Sequence, residues 1–201
     1  MATTQTKQVA SVKNPKRRLI DAAVALFAEK GYASTSVKEI VAQADVSKPV
    51  LYYHFGSKEG IFHAILDWAS ERQEAVLAEV LDMSGTARDR LLFLYQCIYQ
   101  GLIENPNLFT MIHNLIFGPP QGAPLYDFRQ YHGRLADVIK TIYLEGRARN
   151  EVAFAEPDDV AILVLGVIDF CTRLGRVGHE PLDPDRSKRL LNLVFRGLER
   201  K

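Results

Sequence analysis

Between Ser36 and Phe55 the chain carries two helix-start signals with room for about two turns of helix after each. Ser36 stands three residues before Glu39, so S-V-K-E is a capping box in which hydroxyl and carboxylate satisfy orphan amides reciprocally. Pro49 falls in the first turn of the next helix, where a missing N–H costs nothing. The restriction that proline places on Lys48 leaves the start at Ser47 or Lys48. Ala44-Asp45-Val46 remains as a tight turn between the two. Upstream, Leu19, Ile20, Ala23, Leu26 and Phe27 recur at helical spacing, and Gly31 stops that helix because it enters the left-handed region cheaply.

By the same spacing, Val37, Ile40, Val41 and Ala44 face inward from the second helix, and Val46, Leu51 and Phe55 from the third. Lys48, Pro49, Val50, Tyr53 and His54 are left outward, with Tyr52 at the margin. A solvent surface rarely clusters proline, valine and tyrosine beside lysine and histidine unless something covers them. Two short helices joined by three residues fit the geometry of a major-groove reader.

Charge points the same way. Residues 1–58 hold nine Lys and Arg against four Asp and Glu, a net +5, while the remainder is −4. The whole chain, at +1, therefore hides a basic front and an acidic back. Lys38, Lys48 and Lys58 each fall in the first turn of an expected helix, where an isolated helix prefers Asp or Glu by about 0.3–1 kcal/mol. Any one of them could simply be solvated. The three together suggest anions in front of those ends, as phosphates would be.

Residues 17–65 resemble the N-terminal DNA-binding domain of the tetracycline-repressor (TetR) family. The matching motifs are an apolar first helix ending in G-Y, T-S-V-K-E-I-V, D-V-S-K-P-V, L-Y-Y-H-F and S-K-E-G-I-F. One departure is Asp45, where glycine is usual; aspartate tolerates a left-handed backbone better than most residues. The resemblance implies that Lys48, Pro49, Val50 and Tyr53 face base edges, the apolar ones meeting thymine methyls. It implies that Thr35, Ser36, Tyr52, His54 and Lys58 hold phosphates, with Ser47 beside them and Lys38 able to reach either. Removal of Lys58 is then expected to flatten the salt dependence of binding by about one unit. The stretch Lys13–Arg18 would lie along the backbone or enter a minor groove.

The expected fold is all-α. Residues 1–13 form an aperiodic arm, 14–60 the helix-turn-helix domain, and 61–201 a larger helical body for dimerisation and ligand binding. Within the body, helices are expected from Ser57 through Val80, Ala87 to Glu104, Asn107 to Phe117, Leu125 to Arg149, Asp158 to Leu174 and Asp185 to Leu198. Asp158 to Leu174 is apolar on more than one side, with Gly166 allowing close backbone approach, and Asp185 to Leu198 places Leu190, Leu191, Val194 and Leu198 at helical spacing; the two are read as a four-helix dimer interface. A symmetric dimer is favoured because one reader helix binds weakly, whereas two span half-sites about 34 Å apart. The ordinary reading, core helices of a monomer, is the alternative.

Phe109, His113 and Phe117 form an i, i+4, i+8 stripe, and Tyr99, Met111, Phe128, Tyr131, Tyr143 and Phe170 are further aromatic or soft candidates for a ligand site. His113, Asn114 and Asp169 would orient a bound molecule. Such stripes are also what a core looks like, and Asp169 and Arg173 are spaced for a local ion pair. Cys97 and Cys171 make no metal spacing and fit a reducing cytoplasm; a redox switch between them is the rarer reading. No cofactor is expected. The longest apolar run, Val160 to Ile168, is nine residues and too short to span a bilayer, and MATTQTKQVASVK lacks a secretory apolar segment.

No nucleophile–base pair, Gly-rich phosphate loop, metal cluster or paired catalytic carboxylates are seen, which disfavours an enzyme. The expectation is a cytoplasmic regulator of transcription. Its expected partners are a palindromic duplex operator, a second subunit and a small apolar or aromatic effector that releases a repressor. A ligand-independent regulator or activator is the alternative.

Overall fold

A computed structural model of the chain describes residues 14–176 and 184–198. The arm 1–13, the connection 177–183 and the side chains of Tyr131 and Cys171 lie outside the described residues. Every regular element among those described is a helix: α1 Pro15–Lys30, α2 Val37–Gln43, α3 Lys48–Phe55, α4 Lys58–Asp82, α5 Ala87–Glu104, α6 Pro106–Phe117, α7 Phe128–Ala148, α8 Pro157–Arg176 and α9 Pro184–Leu198. None of them is long and apolar enough to cross a membrane.

The chain divides into two compact units, Met1–Glu71 with Asn105–Tyr126, and Arg72–Glu104 with Asp127–Lys201. Helix α4 runs through both; Ile61, Phe62, Ile65 and Leu66 are buried in the first, Leu77 and Val80 in the second.

In the first unit, α1 starts where the Asn14 side chain accepts from the Lys16 N–H (3.0 Å) and Pro15 takes the position that needs no donor. It ends at Gly31, whose φ of 82° is open to glycine at little cost. Leu19, Ala23 and Phe27 are buried, and the Phe27, Tyr32 and Phe62 rings close into one cluster with centroids 5.1–6.0 Å apart. Helices α2, α3 and α6 all pack on α1. The segment 105–126, which periodicity alone assigns to the C-terminal body, therefore joins the compact unit that holds the helix-turn-helix.

The second unit packs α7 on α8, α9 on α8 and α5, and α5 on α7. Its core includes Leu91, Leu94, Tyr95, Ile139, Ile142, Val160, Val164, Leu191 and Phe195. Each buried side chain of this size contributes about 1.5–3 kcal/mol. Arg90 is buried among them: it donates to the carbonyls of Val80 (3.1 Å) and Leu81 (3.0 Å) at the end of α4 and pairs with Glu145 of α7.

Candidate nucleic-acid interface

The turn between α2 and α3 is held from α1. Arg18 donates to the Ala44 carbonyl (2.7 Å), to the Asp45 carbonyl and to the Asp45 carboxylate (3.0 Å). Asp45 has φ 50°, the left-handed backbone that the motif's usual glycine would supply. Val46 N–H returns to the Val41 carbonyl at 3.0 Å. The two helices are thus fixed by backbone bonds and a guanidinium.

Helix α2 begins with the capping box, Ser36 N–H donating to Glu39 (2.8 Å) and Glu39 N–H to the Ser36 hydroxyl (3.3 Å). Lys30 also reaches the Glu39 carboxylate. Hydrogen bonds from Lys30 and then Ser36 lower the Glu39 pKa to about 2. Lys38, one residue into the helix, is exposed.

Helix α3 has eight residues, and only Leu51 is fully buried. Its cap is Ser47, whose exposed hydroxyl makes no capping bond, so the helix starts at Lys48 with Pro49 in the first turn. Lys48 and Pro49 are exposed, Val50 and His54 half-buried, Tyr52 50% and Tyr53 85% exposed. Tyr53 rests edge-on against His54, with centroids 5.0 Å apart. The result is a short convex rod that presents cation, hydroxyl and aromatic groups together. A phenol that bare gains nothing from the core, so its place is not explained by packing.

Two expected phosphate contacts have a different setting. Thr35 is buried to 1%, and its hydroxyl donates to the Gly31 carbonyl (2.8 Å), so its side chain shapes the turn between α1 and α2 and does not face outward. The Lys58 ammonium donates to the carbonyls of Tyr32 (3.0 Å) and Thr35 (2.9 Å) and lies 4.0 Å from the Tyr32 ring centroid. Burial pushes its pKa down and pushes that of Tyr32 up. Sequence spacing could not show this, because its partners lie 23 and 26 residues away.

The candidate ligand residues divide between the units. Phe109, Met111, His113 and Phe117 belong to α6 in the first, with Met111 buried, the His113 and Phe117 rings 5.1 Å apart and Phe117 exposed. Tyr99, Phe128, Tyr143, Asp169 and Phe170 belong to the second. Asp169 pairs with Arg173 at 2.8 Å, and Phe170 is 60% exposed. The Tyr143 hydroxyl accepts from the Ala155 N–H (2.7 Å) and lies within donating distance of the Ala153 and Ala155 carbonyls (3.1 and 2.9 Å). Tyr143 also lines a shallow surface cleft of about 340 Å3 with Leu144, Arg147 and Phe154.

An exposed short second helix, clamped to a first through a tight turn and flanked by cations, defines the class as a helix-turn-helix regulator of transcription. Residues 19–65 match the family described as bacterial regulatory proteins, tetR family. The helix-turn-helix transcriptional regulator YvkB of Bacillus subtilis is 31% identical over 152 residues, which is 70% of this chain and 75% of that one. IcaR of Staphylococcus aureus, the negative transcriptional regulator of the biofilm operon icaADBC, is 32% identical over 106 residues, 53% of this chain and 55% of that one. Against four curated relatives the aligned stretch spans 18% to 75% of the relative's own length. The solved TetR family regulator PfmR of Thermus thermophilus superposes with a TM-score of 0.71 at 26% identity, covering 91% of this chain and 100% of that one. The chain belongs to the tetR family of bacterial regulatory proteins.

Proposed function

We propose that the chain is a dimeric repressor that seats α3 of each subunit in the major groove of a palindromic operator and releases it when a small apolar or aromatic molecule binds. The observation that carries the DNA-binding part is the bare face of α3: Lys48, Pro49, Tyr52 and Tyr53 lie outward with Ser47 at its start. Lys48 and Tyr53 would meet base edges, Pro49 and Val50 thymine methyls, and Ser36, Ser47, Tyr52 and His54 the phosphates. Exposed Lys38 would reach either.

Dimerisation is supported by a second bare surface. Ile162 (67% exposed), Leu163 and Phe170 on α8 and Leu193 on α9 are large apolar groups facing outward, and a Cβ added at Gly166 would meet nothing within 4 Å. An apolar face of this kind is a hallmark of a subunit contact. Repression is supported by the name of IcaR as a negative regulator. An effector is supported by the aromatic character of α6 and its neighbours, Tyr99, Phe109, Met111, His113, Phe117, Phe128, Tyr131, Tyr143, Asp169 and Phe170.

Selection from a random duplex pool tests the reading. The wild type is expected to enrich two inverted half-sites one helical turn, about 34 Å, or a multiple of it apart. Tyr53→Ala and Lys48→Ala are each expected to lose about tenfold or more on the enriched sequence with an unchanged melting temperature. A pool that emerges unenriched overturns the reading. Melting shifts with a panel of apolar small molecules, paired with operator release, separate an effector-controlled repressor from a ligand-independent one.

A further inference from the structure

We infer that Gln121, in the loop that follows α6, is a positioning residue for the DNA-binding surface. The inference rests on the proposed DNA-binding role of the first unit. The Ala33 N–H donates to the Gln121 carbonyl at 3.1 Å. The Gln121 side chain lies across Gly31: a Cβ there would come within 3.0 Å of its Oε1 and 3.2 Å of its Cδ. The next residue, Gly122, has φ 60°, and a Cβ on it would sit 3.5 Å from the Ala33 Cβ. Two adjacent loop residues therefore clamp the turn between α1 and α2, one by backbone bond and side chain, the other by close approach.

That turn leads directly into the interface. Ser36, the cap of α2, follows Ala33 by three residues, and Lys38 by five. The turn is also held by groups local to the helix-turn-helix, the Lys58 ammonium on the Tyr32 and Thr35 carbonyls and the Thr35 hydroxyl on Gly31. The Gln121 loop differs in origin. Its segment, 105–126, enters the first unit between two stretches of the second and is covalently continuous with α5 on one side and α7 on the other. The loop is thus the strap by which the segment 105–126 holds the turn that leads to the α2 N-terminus. With it closed, the cap of α2 stands where phosphates are met; with it open, the turn retains its local bonds alone.

A reversible cross-link tests this. The pair Ala33→Cys and Gly122→Cys, in a background of Cys97→Ser and Cys171→Ser, places two thiols at a Cβ separation within the disulfide range of about 3.5–4.5 Å. Affinity for the duplex selected by the wild type is measured oxidised and reduced across a salt series. The oxidised protein is expected to bind about fivefold tighter than the reduced one with the same salt slope, and Gln121→Ala in the wild type to bind about fivefold weaker. Equal affinity in both redox states, tighter binding on reduction, or wild-type affinity in Gln121→Ala overturns the strap; because a side chain at Gly122 (φ 60°) is strained, the reduced double variant is the reference for the cross-link. If the wild type selects no duplex, the DNA-binding reading itself fails; if it does and the cross-link is silent, only the strap fails.

Discussion

Lys58 shows how one side chain can carry two meanings. It opens α4, where the helix end is positive and a phosphate would be welcome. Its ammonium instead meets two carbonyls and the face of Tyr32. We expect Lys58→Ala to lower stability in urea by about 1–3 kcal/mol through the loss of charge-assisted bonds. The slope of log affinity against log salt should stay close to that of the wild type; a slope reduced by about one unit would restore the phosphate role. Glu39 gives a pH prediction. Its folded pKa is depressed to about 2 from 4.5, so its contribution is complete above the unfolded value and is lost as pH falls through the interval between the two. Stability should decline more gently over that interval in Glu39→Gln than in the wild type, as followed by helical circular dichroism at graded acidity.

At the scale of elements, local rules reached far. The capping box at Ser36, the proline in the first turn of α3 and the stop at Gly31 are short-range devices, and the structure contains each. The departure at Asp45 holds because a guanidinium from Arg18, 27 residues away, braces it. No spacing rule points to that brace. The same limit applies to α6, whose apolar faces are plain in the sequence but whose partner, α1, is not, since periodicity states how much surface wants cover and not what covers it. Arg90 belongs here as well. It sits three residues into α5 and closes the end of α4 while holding Glu145 of α7. Replacing it with alanine takes this donor from the Val80 and Leu81 carbonyls and leaves a cavity, while the half-exposed Glu145 carboxylate returns to water, and we expect a loss of about 1–3 kcal/mol in urea unfolding.

For the whole molecule, the net charge of +5 on residues 1–58 overstates what is available to a polyanion. Arg17 is paired with Asp21, while Arg18, Lys30 and Lys58 are engaged on neighbouring groups. Among the described residues of this stretch, the exposed side chains of Lys16, Lys38 and Lys48 remain. A cation count sees charge but not where its donors are directed. Assembly offers a separate test: in the proposed dimer, Ile162→Asp with Phe170→Asp should halve the mass seen by sedimentation, keep the helical content, and weaken operator binding by at least about a hundredfold through loss of avidity. Retention of the larger mass would move the subunit contact elsewhere. The insertion of residues 105–126 into the first unit has a practical corollary. The reader is not a cassette that ends at Glu71. Transplanting it onto another family member without that stretch would strip α1 of a helix that packs on it and leave Ala33 without its acceptor, so a grafted reader must travel with both pieces of chain.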